Sequence, residues 1–176
     1  MTDLPWGRPV ALRELARGPL RLRLEPDAAT RASIARELRL ESLPALVAEV
    51  EVRPWLDGAE IAGRFDGRVE QICGVSLEPF EQPISGTFDV KALPPGSPNA
   101  VEEAEPGGEL TLDLDAPDPP DRLEGEELDV TGYVLEHLAL EIDPFPRKPG
   151  ATFDYSPPPD EESPFAVLKQ LKNKED

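Results

Sequence analysis

The 176-residue sequence predicts an α+β fold: an antiparallel β meander sheet, able to close toward a barrel, with a few packed helices and a long acidic, proline-rich loop. Three observations carry that prediction. Apolar and polar residues alternate with a period of two through much of the first half, the mark of half-buried strands. Apolar residues take helical spacing in separate, shorter stretches. Proline is abundant, at 22 residues against a usual share of about 5%, and it keeps much of the remainder out of ladders and helices.

The elements follow in order. PLRLRLEP sets Leu20, Leu22 and Leu24 against Arg21 and Arg23, a strand with one apolar face. PDAATRASIARELRL suits a helix that starts at Pro26 or Asp27 and turns Ile34 and Leu38 to one side. LPALVAEVEVRPWL alternates again, with Leu46, Val50 and Val52 opposed to Glu49, Glu51 and Arg53. EIAGRFDGRVEQICGVSL is the strongest strand signal, with Ile61, Phe65, Val69, Cys73, Val75 and Leu77 on one face. A strand of that length predicts a bend or bulge at Gly63, Gly67 or Gly74. EPFEQP then reads as a turn, and ISGTFDVKA returns with Ile84, Phe88 and Val90 aligned.

The next stretch offers little to pack. PPGSPN, AEPGGE and DAPDPPD punctuate it, with ELTLDLD as a short edge strand between them. DVTGYVLEHLALEID resumes helical spacing, with Val134, Leu135, Leu138 and Ile142 on one face, Asp129 or Thr131 as cap and Pro144 as terminator. The organisation expected is an N-terminal arm over residues 1–19 and one domain over 20–155, with a mobile acidic loop at about 94–127. A proline-rich linker and short C-terminal helix fill 156–176. That helix, SPFAVLKQLKNK, has Ser163 as cap and an apolar stripe of Phe165, Leu168 and Leu171 that can fold back on the domain or bind a partner.

Charge is concentrated. The formal net charge is −18, and residues 101–130 alone hold twelve acidic side chains against one basic. Residues 1–41 hold eight basic and six acidic ones. A surface of this kind repels nucleic acid and anionic membrane at long range and attracts basic partners, while the N-terminal third remains able to meet a polyanion. The single cysteine excludes an internal disulfide or a cysteine metal cluster. The N-terminus has no signal-peptide pattern and no stretch reaches a membrane span, so a soluble cytoplasmic protein without a membrane partner is expected.

Catalytic patterns are absent from the sequence. His137, the only histidine, reads as a solvent-facing neighbour of Glu136 and Glu141. Cys73 reads as a small core residue, and no carboxylate run has the spacing of a calcium loop. No phosphate loop, nucleophile elbow or zinc motif occurs, so no enzyme activity and no cofactor are expected. What stands out is DPFPRKPG, residues 143–150. Pro144, Pro146 and Pro149 restrict the backbone around Phe145, Arg147, Lys148 and Gly150, which lowers the entropy lost on docking. The basic pair suits phosphate or carboxylate. The alternative is that Phe145 packs on the core and the pair is merely solvated. Arg21 and Arg23 are the further candidates for an anionic partner.

Three blocks in order, VEQICGVSLEPFEQPISGTFDV, DRLEGEELDVTGYVLEHLALEIDPFPRKPG and SPFAVLKQLK, resemble the YceD family of large-subunit ribosomal RNA accumulation proteins, most closely its alphaproteobacterial branch. The resemblance runs from about residue 20 to the end. It implies an accessory factor that supports synthesis, processing or stability of 23S ribosomal RNA without catalysis. The partners it implies are large-subunit ribosomal RNA, a preribosomal particle or a basic ribosomal protein shielded by the acidic loop. An acidic adaptor or chaperone with no RNA contact is the alternative. Many members carry Cys-x-x-Cys where this chain has Cys73 and Ser76, and later cysteines where it has PRKPG, so a zinc site does not carry over.

Overall fold

The computed structural model describes residues 5–100 and 118–153. Its elements are β1 (Pro9–Ala11), a 3-10 helix (Leu12–Arg17), β2 (Leu20–Leu24), α1 (Ala28–Glu37), β3 (Ser42–Trp55), β4 (Gly58–Ile72), β5 (Pro79–Leu93), β6 (Asp121–Arg122), β7 (Glu127–Asp129) and α2 (Val130–Glu141). β2 to β5 pair antiparallel with their neighbours, and β6 adds in parallel to Ala92 and Leu93, giving the order β2-β3-β4-β5-β6. β1 and β7 form a separate two-stranded ribbon.

Alternation in the sequence becomes a sheet with one covered and one solvated face. Leu46, Ala48, Val50 and Val52 of β3, Ile61, Phe65 and Val69 of β4, and Ile84, Phe88 and Ala92 of β5 point inward. They share one core with Ile34 of α1 and with Val134, Leu135 and Leu138 of α2, so both helices cover the same face. Asp27 caps α1 by accepting from Thr30 N at 2.8 Å. Asp129 caps α2, accepting from Thr131 N at 3.1 Å and from Thr131 Oγ1 at 2.6 Å. Each cap satisfies helix donors that have no partner of their own.

The opposite face carries Arg21, Arg23, Arg53, Arg64 and Arg68, each against a glutamate. Arg21 and Arg53 share Glu51 (3.0 and 2.6 Å), Arg23 and Arg64 share Glu49 (3.3 and 2.6 Å), and Arg68 meets Glu81 at 3.6 Å. These pairs lie across neighbouring strands or two residues along one, where opposite charges stabilise a sheet modestly.

Several expectations need correction. Among the described residues the sheet is open, with β2 and β6 at opposite edges, so the structure does not support a closed barrel. The register of β4 with β5 runs unbroken from Ala59↔Ala92 to Ile72↔Pro79, so β4 has no bulge at Gly63 or Gly67. The irregularity lies in β3 instead, between Ser42 and Ala45. Gly63 and Gly67 make room for neighbours rather than for bends. EPFEQP is not the turn, since β5 already begins at Pro79. The turn is Gly74–Leu77, after β4 ends at Ile72, and it leaves Leu77 exposed rather than on the apolar face.

The N-terminal arm is packed on the domain in its described part, where Val10 and Leu15 are buried. The irregular stretch expected at 94–127 is described only at its two ends. Ser97 Oγ and Asn99 Nδ2 both donate to Asp57 Oδ1 at 2.9 Å, and β6 lies within 118–127. The edge strand ELTLDLD, the core of the acidic loop and the C-terminal linker and helix lie outside the described residues.

Two aromatic rings set the fit of β4 on β5. Phe88 lies opposite Gly63, and Phe65 lies opposite Gly86. A Cβ on Gly63 would stand 2.4 Å from Phe88 Cζ, and one on Gly86 would stand 2.6 Å from Phe65 Cζ. Each ring occupies the space that the facing residue gives up, an arrangement also used to support glycines in designed sheets. Gly63→Ala is expected to cost about 1–3 kcal/mol of stability through overpacking. Gly125→Ala, where an added Cβ meets nothing within 4 Å, is expected to stay within about 0.5 kcal/mol. Urea denaturation of both variants checks the contrast.

Candidate functional site

Beyond α2 the described chain stays on the domain. It runs along the turn between β4 and β5, and polar contacts hold it there. Gln71 Nε2 donates to Asp143 O at 3.0 Å, and Gln82 Nε2 orients Gln71 by donating to its Oε1 at 2.6 Å. Gly74 N donates to Pro146 O at 2.9 Å. Lys148 N donates to Cys73 Sγ at 3.3 Å, and Lys148 Nζ meets Glu78 Oε2 at 2.8 Å. Phe145 N closes an Asx turn on Asp143 Oδ1 at 2.8 Å, and Ala151 N closes another turn on Lys148 O at 3.0 Å.

Cys73 is the pivot. Its sulfur also accepts N–H groups from Val75 at 3.4 Å and Ser76 at 3.3 Å, so three backbone donors converge on one buried atom. Leu77 N returns to Cys73 O at 2.9 Å, and Cys73 N bonds Glu78 O at 2.9 Å. Closing so tight a turn puts Leu77 at φ 58°, a left-handed conformation that disfavours a residue with a Cβ. The donors from Ser76 and Lys148 stabilise the thiolate and lower the Cys73 pKa from 9.0 to about 6, with burial opposing them.

Within DPFPRKPG the two basic residues have different roles. Lys148 is engaged with Glu78; the pairing raises the lysine's pKa and lowers the glutamate's. Arg147 is exposed and makes no ion pair among the described residues. Phe145 is 81% exposed, so it does not pack on the core. Pro144 and Pro149 are exposed, Pro146 is half-buried, and Gly150 takes φ 81°, the left-handed value its turn requires. Ile72, Leu77 and Phe153 are exposed at the same turn and segment.

Arg21 and Arg23 are not part of this group. Their partners on β3, Glu51 and Glu49, pair with Ala62 and Arg64 of β4. Gln71 lies seven residues beyond Arg64, roughly 23 Å along a strand.

His137 also differs from its reading as a solvent-facing partner of glutamates. Its Nδ1 lies 2.8 Å from Tyr133 O, and its ring stacks on Phe88 with centroids 4.6 Å apart. Both contacts are structural. Among the described residues no three His, Cys, Asp or Glu side chains gather to hold a metal ion. Gln71, Glu78 and Gln82 brace the site without having been picked out from the sequence, and Gly74 was picked out only as a bend, because their partners lie 70 or more residues away or across the hairpin.

An open five-stranded sheet backed by two helices, with a proline-bounded segment fastened to the tip of its longest hairpin, defines an α+β domain built around a presented loop. The chain belongs to the YceD family. The family model, described as large ribosomal RNA subunit accumulation protein YceD, matches residues 61–172, which take in most of β4, all of β5 and α2, and the whole fastened segment. No curated protein and no solved structure matches the chain.

The lowered thiol pKa makes a pH prediction. A depressed folded-state value means that the unfolded chain binds the proton more tightly, so stability rises with pH between about 6 and 9.0 and is lost as pH falls through the folded value. Cys73→Ser is expected to flatten that part of the curve. Denaturant midpoints of parent and variant across this window measure it, and equal slopes would refute the thiolate.

Proposed function

We propose that this protein is a non-catalytic accessory factor in large-subunit ribosome biogenesis, and that it meets the preribosomal particle through Pro144–Gly150. The family match carries this reading: the family is named for large-subunit ribosomal RNA accumulation, and the match spans the segment and everything that braces it. The geometry supports a contact role. A backbone already held by Gln71, Gly74 and Cys73 loses little freedom on docking, and it keeps an exposed guanidinium at a set position. His137 and Cys73, the residues best suited to chemistry, are both engaged in packing and backbone contacts. The work is proposed to occur in the cytoplasm, where ribosomes assemble; among the described residues no helix is long and apolar enough to cross a membrane.

One observation favours the second reading, an acidic adaptor for a basic protein such as a ribosomal protein. A groove of about 800 Å³ beside Tyr133 is lined by Asp121, Glu124, Glu126, Glu127, Asp129 and Glu136, with Arg122 as its one basic residue. Crosslinking in cells, with both RNA and protein identified, separates the two readings: crosslinks from 144–150 to ribosomal RNA support the first, and crosslinks from the groove to basic proteins alone support the second.

Loss of the protein is expected to lower mature large-subunit ribosomal RNA relative to the small-subunit species. Unchanged ratios in a deletion strain, in the cold as well, would overturn the reading. Arg147→Gln with Lys148→Gln is expected to cost about 1 kcal/mol of stability or less, since both side chains are exposed. The same double change should weaken association with preribosomal particles and flatten its salt dependence. Sedimentation profiles at several salt concentrations measure both effects.

A further inference from the structure

Phe145 is the most exposed large apolar side chain among the described residues, at 81%. Nothing in its surroundings makes that exposure accidental. Its amide is tied to Asp143, and the carbonyl of Pro146 beside it is tied to Gly74. Prolines flank it on both sides, so the ring is carried outward by a backbone that has little freedom to turn it in.

Arg147 follows two residues later, about 6–7 Å along an extended chain. Every arginine described above on the sheet face has a glutamate against it, whereas Arg147 has no ion pair among the described residues. An outward aromatic ring and an unpaired guanidinium thus share one stiff segment.

We propose that Phe145 and Arg147 form a binding step for an unpaired RNA strand, with a base stacked on the ring and a phosphate of the same strand on the guanidinium. This deepens the function proposed above and rests on it. The charge of the chain selects the form of RNA. Duplex binding draws its affinity from many phosphate contacts, and a protein of net charge −18 with one free cation at this site among the described residues is poorly equipped for them. Stacking on an aromatic ring needs no positive field and is available only where bases are not already paired. An acidic protein partner would satisfy Arg147 but would give the exposed ring no base to stack on.

The test uses the full chain and a labelled, unstructured RNA of about twelve nucleotides, with a duplex of the same sequence as comparison. The parent is expected to prefer the single strand. Phe145→Leu keeps an apolar side chain and removes the ring; it is expected to weaken single-strand binding roughly tenfold without changing the salt slope. Phe145→Trp is expected to bind at least as well as the parent. Arg147→Gln is expected to weaken binding and to reduce the slope of log K against log salt by about 0.7, the share of one phosphate on a single strand. Thermal melts of each variant show that folding is intact, and Phe145→Trp keeps the test decisive should the leucine variant melt early.

Equal binding of duplex and single strand, or of the leucine variant and parent, would overturn the stacking step. So would undetectable RNA binding by a parent that still associates with preribosomal particles through Phe145, which would identify a protein partner. In those cases the deletion strain decides the broader reading separately: a lowered ribosomal RNA ratio leaves the accessory role standing without this surface, and an unchanged ratio removes both.

Discussion

The unbroken pairing of β4 with β5 is the constraint on which the other elements depend. It keeps every inward side chain of the two strands on one face for their whole length, and a slip of one residue would turn that set to solvent. β3 extends the same face, α1 and α2 cover it, and a single core results. The hairpin also has a far end, beyond Ile72. That end carries the Cys73 turn, and the turn receives the chain as it returns from α2. Core and contact segment are therefore coupled through one register.

The core was legible in the sequence because it follows from periodicity. Val50, Ile61, Phe65, Ile84, Val134 and Leu138 announce their faces by alternation or by helical spacing, and all are buried. Asp27 and Asp129 were each one of two residues the sequence offered at its helix start, because a cap acts over only two or three residues. The edges of the strands were less so. Pro79 and Pro83 argue locally for a turn, yet both pair in register with β4, at Ile72 and Arg68. The missing donor of a proline matters little on a strand whose outer side has no partner over that stretch among the described residues.

The contact segment was legible as a composition and not as a geometry. Its prolines and basic pair can be read directly, but the unequal fates of Arg147 and Lys148 depend on Glu78, which is 70 residues earlier. The three-donor sulfur is invisible for the same reason, since Cys73 looks like any small apolar residue on an alternating strand. Alternation also misled at its end: Val75 and Leu77 continue the pattern past the point where the strand has stopped. A period of two shows which face a side chain takes while the ladder lasts, and it does not show where the ladder ends.

The ribbon of β1 with β7 has a consequence for how the molecule is made. Pro9 pairs with Asp129, Arg8 N donates to Asp129 Oδ1 across 121 positions, and Thr131 Oγ1 lies 2.9 Å from Trp6 O. The residues of this strand thus have their partners among residues made about 120 positions later. β2 to β5 find their strand partners within residues 20–93 and are made together with α1, whereas α2, which shares their core, comes later. The amino-terminal strand must wait, because closing so long a loop carries an entropic cost that is repaid only once α2 is in place. Folding of this domain is therefore completed by joining β1 to β7, and a nascent chain stopped before Leu128 would leave Val10 without its partner across the ribbon.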